Sequence, residues 1–171
     1  MSLGSNITLI GMPGSGKSTV GRILAHHFDM EFIDSDRLIE RAANMGIQNV
    51  VDRMGLNRFR ELEQQVLCEI DVENTIISTG GSAVYSLSAM NHLATLGPRL
   101  YLRITRNSLI RRVDNSAVRG LYKLPSHSLL RLFHERENLY PDFADITFDN
   151  DAPLSAIRAG QLIALFDCER N

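Results

Sequence analysis

The sequence predicts a three-layer α/β/α domain built on a five-stranded parallel sheet, and three observations carry that prediction. Short runs rich in β-branched or aromatic residues alternate with longer segments of helical periodicity, the pattern of a parallel sheet covered by helices on both faces. The first run leads into Gly11-Met12-Pro13-Gly14-Ser15-Gly16-Lys17-Ser18, which fits the G-x-x-x-x-G-K-[ST] pattern of a phosphate-binding loop between a strand and a helix. The second run leads into Asp34-Ser35-Asp36, two carboxylates at the carboxyl end of a strand, where open α/β sheets bind their ligands.

The elements follow in order. Ile7-Thr8-Leu9-Ile10 is the first strand, and the segment from Lys17 to Phe28 carries Val20, Ile23, Leu24 and Phe28 at helical spacing, leaving His26 and His27 toward solvent. Glu31-Phe32-Ile33 is the second strand. From Asp36 to Val72 no convincing strand occurs; Leu38, Ile39, Val50, Val51, Leu62, Val66, Leu67 and Ile70 suggest two or three helices broken near Gly46 and Gly55. This helical region, about 36–72, is expected to form a substrate pocket beside the sheet. Thr75-Ile76-Ile77-Ser78, Arg99-Leu100-Tyr101-Leu102 and Ile146-Thr147-Phe148 complete the strands. The basic, glycine-bearing stretch from Asn115 to Pro125 reads as a lid loop between two helical segments.

At 171 residues the chain fits one domain spanning 1–171, large enough to bury a core without disulfides or structural metal. With 18 basic and 20 acidic side chains and a net charge of −2, no broad cationic surface is available for nucleic acid or anionic lipid. Small-molecule partners are the simpler expectation, for a monomer. Cys68 and Cys168 lack ligand or redox spacing and are read as buried thiols in a reducing cytosol. No apolar run approaches the roughly 20 residues needed to cross a bilayer, so a cytoplasmic location is expected. Met1 to Ser5 is too short and polar to be expected to form an element.

In the phosphate loop, glycines let successive backbone N–H groups turn toward phosphate oxygens, and the helix start adds partial positive charge. Gly14, Ser15, Gly16, Lys17, Ser18 and Thr19 are the nucleotide-binding candidates, with Lys17 reaching the β- and γ-phosphates of ATP and the Ser18 hydroxyl on Mg²⁺. A chance glycine-rich turn is the competing reading; the fixed positions coincide by accident in roughly one chain of this length in a couple of hundred. Asp34 is the second candidate for the magnesium shell, and Asp36 is placed to accept a hydrogen bond from an acceptor hydroxyl. Residues two apart in an extended segment point the same way, so both side chains are expected on one side. Alternatively, Asp36 simply caps a helix beginning at Arg37.

The chain resembles the shikimate kinase family over nearly its whole length. Gly11 to Ser18 with Thr19-Val20-Gly21-Arg22 is similar to that family's phosphate loop and first helix, and Phe32-Ile33-Asp34-Ser35-Asp36 with Ile39-Glu40 to its paired-aspartate segment. Gly55 with Phe59-Arg60-Glu61-Leu62-Glu63 resembles its Phe-Arg-x-x-Glu helix, and Ser78-Thr79-Gly80-Gly81-Ser82-Ala83-Val84 its glycine triplet. Arg119 falls on the lid arginine, and Arg136, Tyr140 and Ala144-Asp145 on the segment before the last strand.

The resemblance implies a P-loop fold of the nucleoside-monophosphate-kinase kind, with a helical substrate-binding insertion and a lid at about 115–125. It also implies transfer of the γ-phosphate of ATP to the 3-hydroxyl of shikimate or a similar hydroxy acid. Lys17, Asp36 and Arg119 would be catalytic, and Arg112 would stack on adenine. Arg60 and Arg136 would clamp the carboxylate with forked guanidinium contacts, while Asp36, Gly80, Gly81 and Ser82 border the hydroxyl face. Two other readings stay open: a divergent kinase for another hydroxy acid, and a nucleotide-binding accessory protein without turnover. Glu61 and Glu63 are read as structural partners of neighbouring arginines, and His92, His127 and His134 are given no role.

Two residues depart from the family pattern. Ser82 replaces the third glycine, adding a Cβ and a hydroxyl that would crowd the acceptor or contact it. Gly120 replaces the proline after the lid arginine, which leaves the lid less restricted.

Overall fold

The computed structural model describes residues 6–114 and 126–167. Five strands, β1 (Ile7–Ile10), β2 (Glu31–Asp34), β3 (Thr75–Ser78), β4 (Arg99–Arg103) and β5 (Ile146–Asp149), form one sheet in the order β2-β3-β1-β4-β5. Every neighbouring pair is parallel. The two strands at the heart of the sheet, β1 and β3, are buried at every position, whereas the edge strands β2 and β5 are partly open. That difference follows from having neighbours on both sides and helices on both faces.

Alternation along each strand separates two cores. Ile10, Ile77 and Tyr101 point into a cluster with Met90, Leu93, Phe133 and Tyr140. Leu9, Ile76, Leu100 and Leu102 point into the other, with Val20 and Leu24 of α1 (Lys17–Phe28) and Leu162 and Phe166 of α8 (Ala156–Asp167). A third, smaller core of Ile39, Ile47, Val50, Phe59 and Val66 joins α2 (Ser35–Ala43) to α3 (Ile47–Cys68). The expected helical region thus has its own packing. α3 is interrupted at Gly55, whose φ of 83° and ψ of 163° lie outside the helical range. Four further helices complete the described chain: α4 (Leu87–Leu96), α5 (Arg106–Asp114), α6 (Ser126–Arg136) and α7 (Leu139–Phe143), with a 3₁₀ turn at Ala83–Tyr85.

The predicted β2, β4 and β5 are each one residue longer than expected, because the ladder continues to Asp34, Arg103 and Asp149. The longer β2 changes the reading of the paired aspartates. α2 begins at Ser35 rather than Arg37, and Asp34 is its N-cap, its Oδ1 accepting the Asp36 N–H at 3.1 Å. Asp36 therefore sits in the first turn of a helix, not two places along an extended strand. Cys68 is half-buried rather than buried. Cys168, Met1 to Ser5, and the lid stretch from Asn115 to Pro125 with Arg119 and Gly120 lie outside the described residues. No helix among the described residues is long and apolar enough to cross a membrane.

Candidate active site

The phosphate loop leaves β1 at the carboxyl edge of the sheet and closes on itself before α1 begins. The Ser15 N–H donates to the Met12 carbonyl at 3.0 Å, and Gly16 precedes the helix at φ 96°, where only glycine sits without strain. A Cβ at Gly16 would also come within 2.8 Å of Asn150 Nδ2, which donates to the Ser15 carbonyl at 2.7 Å. Arg112 donates to the Gly14 carbonyl at 3.2 Å and to the carbonyls of Asn150 and Asp151. The loop is thus laced to the segment following β5 by Asn150 and Arg112. Ser15, expected to contact nucleotide, is wholly buried and does not border the cleft that Pro13, Gly14, Gly16, Lys17 and Ser18 line.

Lys17 Nζ donates to the carbonyls of Gly11 at 2.7 Å and Met12 at 2.9 Å from a buried position. Burial lowers its ammonium to about 8 despite the opposing pull of Asp36 and Asp34. Ser18 Oγ donates to Asp34 Oδ2 at 3.3 Å, so the two oxygens expected to share a cation already lie side by side. Both are hard donors of the kind magnesium takes. Among the described residues no group of three or more His, Cys, Asp or Glu side chains could hold a metal.

On the acceptor side two carboxylates crowd one glycine. A Cβ at Gly80 would stand 2.7 Å from Glu63 Oε1 and 2.9 Å from Asp36 Oδ1. Burial, then the neighbouring Asp34, raises the Asp36 carboxyl to about 6, with Lys17 opposing. Glu63 is raised further, to about 7, again chiefly by burial and against the hydrogen bond from Ser82. That hydrogen bond, Ser82 Oγ to Glu63 Oε1 at 2.9 Å, fixes where the extra hydroxyl goes. One expectation changes here. Among the described residues Glu63 forms no ion pair with an arginine and feels Arg136 and Arg60 only at longer range, whereas Glu61 pairs with Arg58. The Gly80 N–H, on the glycine segment expected to border the hydroxyl face, donates to Ser35 Oγ at 3.1 Å.

Arg60 on α3 and Arg136 at the end of α6 both border the cleft. Their guanidinium carbons lie 4.5 Å and 5.0 Å from the Tyr85 ring centroid, and Arg136 Nε donates to the Tyr85 hydroxyl at 3.1 Å. Arg136 is only 8 % exposed. Among the described residues neither arginine has a carboxylate within ion-pair range, and Arg60 Nε is buried without a partner. One buried and one half-buried guanidinium without an ion-pair partner among the described residues make an arrangement that suits an anion.

A cleft of about 1240 Å³ joins these parts, bordered by Lys17, Ser18, Asp34, Asp36, Arg60 and Arg136. Gly14, Gly16, Thr19, Gly81 and Ser82 also reach it, as do Arg111, Arg112 and the residues from Asn150 to Leu154. A family model described as shikimate kinase matches residues 13–165.

The chain belongs to the shikimate kinase family.

A shikimate kinase from Sulfurihydrogenibium sp. is 40% identical over 136 residues, covering 79% of this chain and 82% of that protein. One from Pasteurella multocida is 37% identical over 166 residues, covering 95% of each. Among solved structures, shikimate kinase from Acinetobacter baumannii in complex with shikimate superposes with a TM-score of 0.85 at 30% identity, covering 97% of this chain and 94% of that one. Membership of the shikimate kinase family makes this an ATP-dependent phosphotransferase on an α/β scaffold. Of its predicted site residues, only Arg119 falls outside the described part, and Arg112 is tied to loop carbonyls as well as facing the cleft. Sequence reasoning missed Asn150, Ser35 and Tyr85. Asn150 was within reach, because it follows a strand at the ligand-binding edge of the sheet. Tyr85 had no pattern to announce it.

Proposed function

We propose that this chain is a shikimate kinase, transferring the γ-phosphoryl group of ATP to the 3-hydroxyl of shikimate, with residues 36–72 and the 115–125 lid as parts of one domain. The observation that carries the reading is the pair of unneutralised guanidiniums, Arg60 and Arg136, facing the same cleft as Asp36 and the phosphate loop. A carboxylate bound by both would gain two forked, charge-assisted contacts, which fixes the acceptor's orientation as well as its affinity.

The roles follow from position and charge. The loop's backbone N–H groups and Lys17 hold the phosphates, Lys17 exchanging the carbonyls of Gly11 and Met12 for phosphate oxygens. Asp36, once ionised, orients the attacking hydroxyl and takes its proton; a loose transition state asks little more of a base. Ser18 and Asp34 would hold Mg²⁺, which supplies charge neutralisation on the phosphates. Arg119, from the lid, would meet the charge on the transferring group. Closure of that lid would keep water from competing for the phosphoryl group. Free ATP and a small hydroxy acid suit a cytoplasmic monomer with a net charge of −2.

Ser82 argues for shikimate rather than for a different hydroxy acid, because its hydroxyl is engaged by Glu63 and so does not stand free to crowd the acceptor. The test is ADP release measured with shikimate beside quinate, gluconate and nucleoside monophosphates. Shikimate-dependent release is expected. Turnover with another acceptor but not with shikimate overturns the acceptor assignment, and ATP binding without turnover on any of them overturns the kinase activity.

A further inference from the structure

We propose that Tyr85 is a positioning residue for the acceptor's carboxylate, holding Arg60 and Arg136 in the spacing and tilt from which both can grip it. The inference rests on the carboxylate-clamp reading above and adds a residue that makes no contact with the acceptor in that reading.

The two arginines come from different elements, α3 and the end of α6, and carry like charges into one cleft. Something must keep them from swinging apart. An acidic partner would do so, but it would also neutralise them and compete with the ligand's carboxylate for the same N–H groups. A tyrosine avoids both problems. The face of its ring attracts a guanidinium without consuming the donors around the guanidinium's edge, so the charge and most of the fork stay available. Both arginines use this one ring, at 4.5 Å and 5.0 Å. The Tyr85 hydroxyl also accepts from Arg136 Nε at 3.1 Å, which sets the rotation of that guanidinium and leaves its two terminal nitrogens for the ligand.

Tyr85 and the residue after it are anchored in three ways. The Tyr85 backbone N–H donates to the Ser82 carbonyl at 3.0 Å. Its hydroxyl lies 3.4 Å from Glu135 Oε2, a carboxylate already paired with Arg131. The next residue, Ser86, caps α4 by accepting the Ala89 N–H at 3.2 Å. Tyr85 therefore stands on a turn fixed to the glycine segment at one end and to a helix at the other. The same turn that carries Ser82 against Glu63 carries the platform for the arginines.

The experiment compares wild type, Tyr85→Phe and Tyr85→Leu in steady-state ADP release, with shikimate and with its methyl ester as acceptors. Loss of the ring in Tyr85→Leu is expected to raise KM for shikimate about tenfold or more. Tyr85→Phe keeps the ring and loses one hydrogen bond, and should raise it roughly two- to fivefold. KM for ATP should stay within about twofold in both, since the hydrogen bonds and ring contacts of Tyr85 among the described residues go to Ser82, Glu135, Arg60 and Arg136 and none to the phosphate loop. With the ester, whose carboxylate is masked, Tyr85→Leu should add little further loss. A KM for shikimate unchanged in Tyr85→Leu, an equal rise in both substrates' KM, or an equal penalty on acid and ester would overturn the proposal. If Tyr85→Leu does not fold, the Tyr85→Phe split between the two KM values decides. Wild type that treats acid and ester alike removes the clamp reading and this inference with it. Wild type that discriminates, beside a Tyr85→Leu variant that discriminates equally well, removes the role of Tyr85 alone.

Discussion

Asp36 occupies a position that suits chemistry better than stability. Its carboxyl is pushed to about 6 by burial and by Asp34, so the folded state favours the protonated form relative to the unfolded chain. Its contribution to stability is therefore fully present below about 3.8, the ordinary value, and is lost as pH rises through about 6. Asp36→Asn removes that burden. At pH 8 the variant should be more stable than wild type, by on the order of 3 kcal/mol at most, and the gap should shrink toward pH 4. Its turnover should fall at least about a hundredfold while ATP affinity is retained, as expected of a residue acting on the acceptor hydroxyl. Thermal melts across pH, with kinetics at pH 8, check both halves; equal loss of turnover and ATP affinity would be the wrong pattern. The identity of Asp36 was legible because two acids followed a strand. Its setting was not, since the capping role belongs to Asp34 and the crowding depends on Glu63, which is brought in by a helix whose phase the sequence leaves loose.

At the scale of elements, α3 shows how glycine writes structure into sequence and where that stops. The breaks expected near Gly46 and Gly55 are both present, the first as the N-cap of α3 and the second as an interruption within it. Gly55 adopts φ 83°, and a Cβ built there would meet nothing within 4 Å. The penalty for a side chain is therefore in the backbone, about 1–3 kcal/mol, rather than in a clash. Gly55→Ala should lower the melting temperature by several degrees. Because Phe59 and Arg60 follow on the resumed helix, it should also raise KM for the acceptor more than KM for ATP. Denaturant unfolding and steady-state kinetics test the two effects; a variant as stable as wild type would mean that the interruption carries no strain for alanine. Element ends were read less well than element cores, since Asp34 is both the last residue of β2 and the cap of α2. The direction in which Tyr85 and Ser82 point arises from a short 3₁₀ turn that leaves no periodicity to read.

Across the whole molecule, strand count and class were legible from composition and alternation, but the order β2-β3-β1-β4-β5 was not, because crossovers leave no local signature. That order puts the phosphate-loop strand between β3 and β4. The loop, the Gly80–Gly81 exit from β3 and the Asn150 exit from β5 consequently open on one edge and line one cleft. Nucleotide and acceptor parts lie far apart in sequence and meet only through this arrangement. In the proposed function the cleft recognises its acceptor through a carboxylate held by Arg60 and Arg136, next to an ATP-loaded phosphate loop. The most direct test is wild-type turnover at saturating ATP with shikimate and with shikimate methyl ester. Two charge-assisted contacts, each contributing about 1.5–3 kcal/mol, predict a fall in kcat/KM of about a hundredfold or more for the ester. Equal turnover of acid and ester, or none with the acid, would contradict the account.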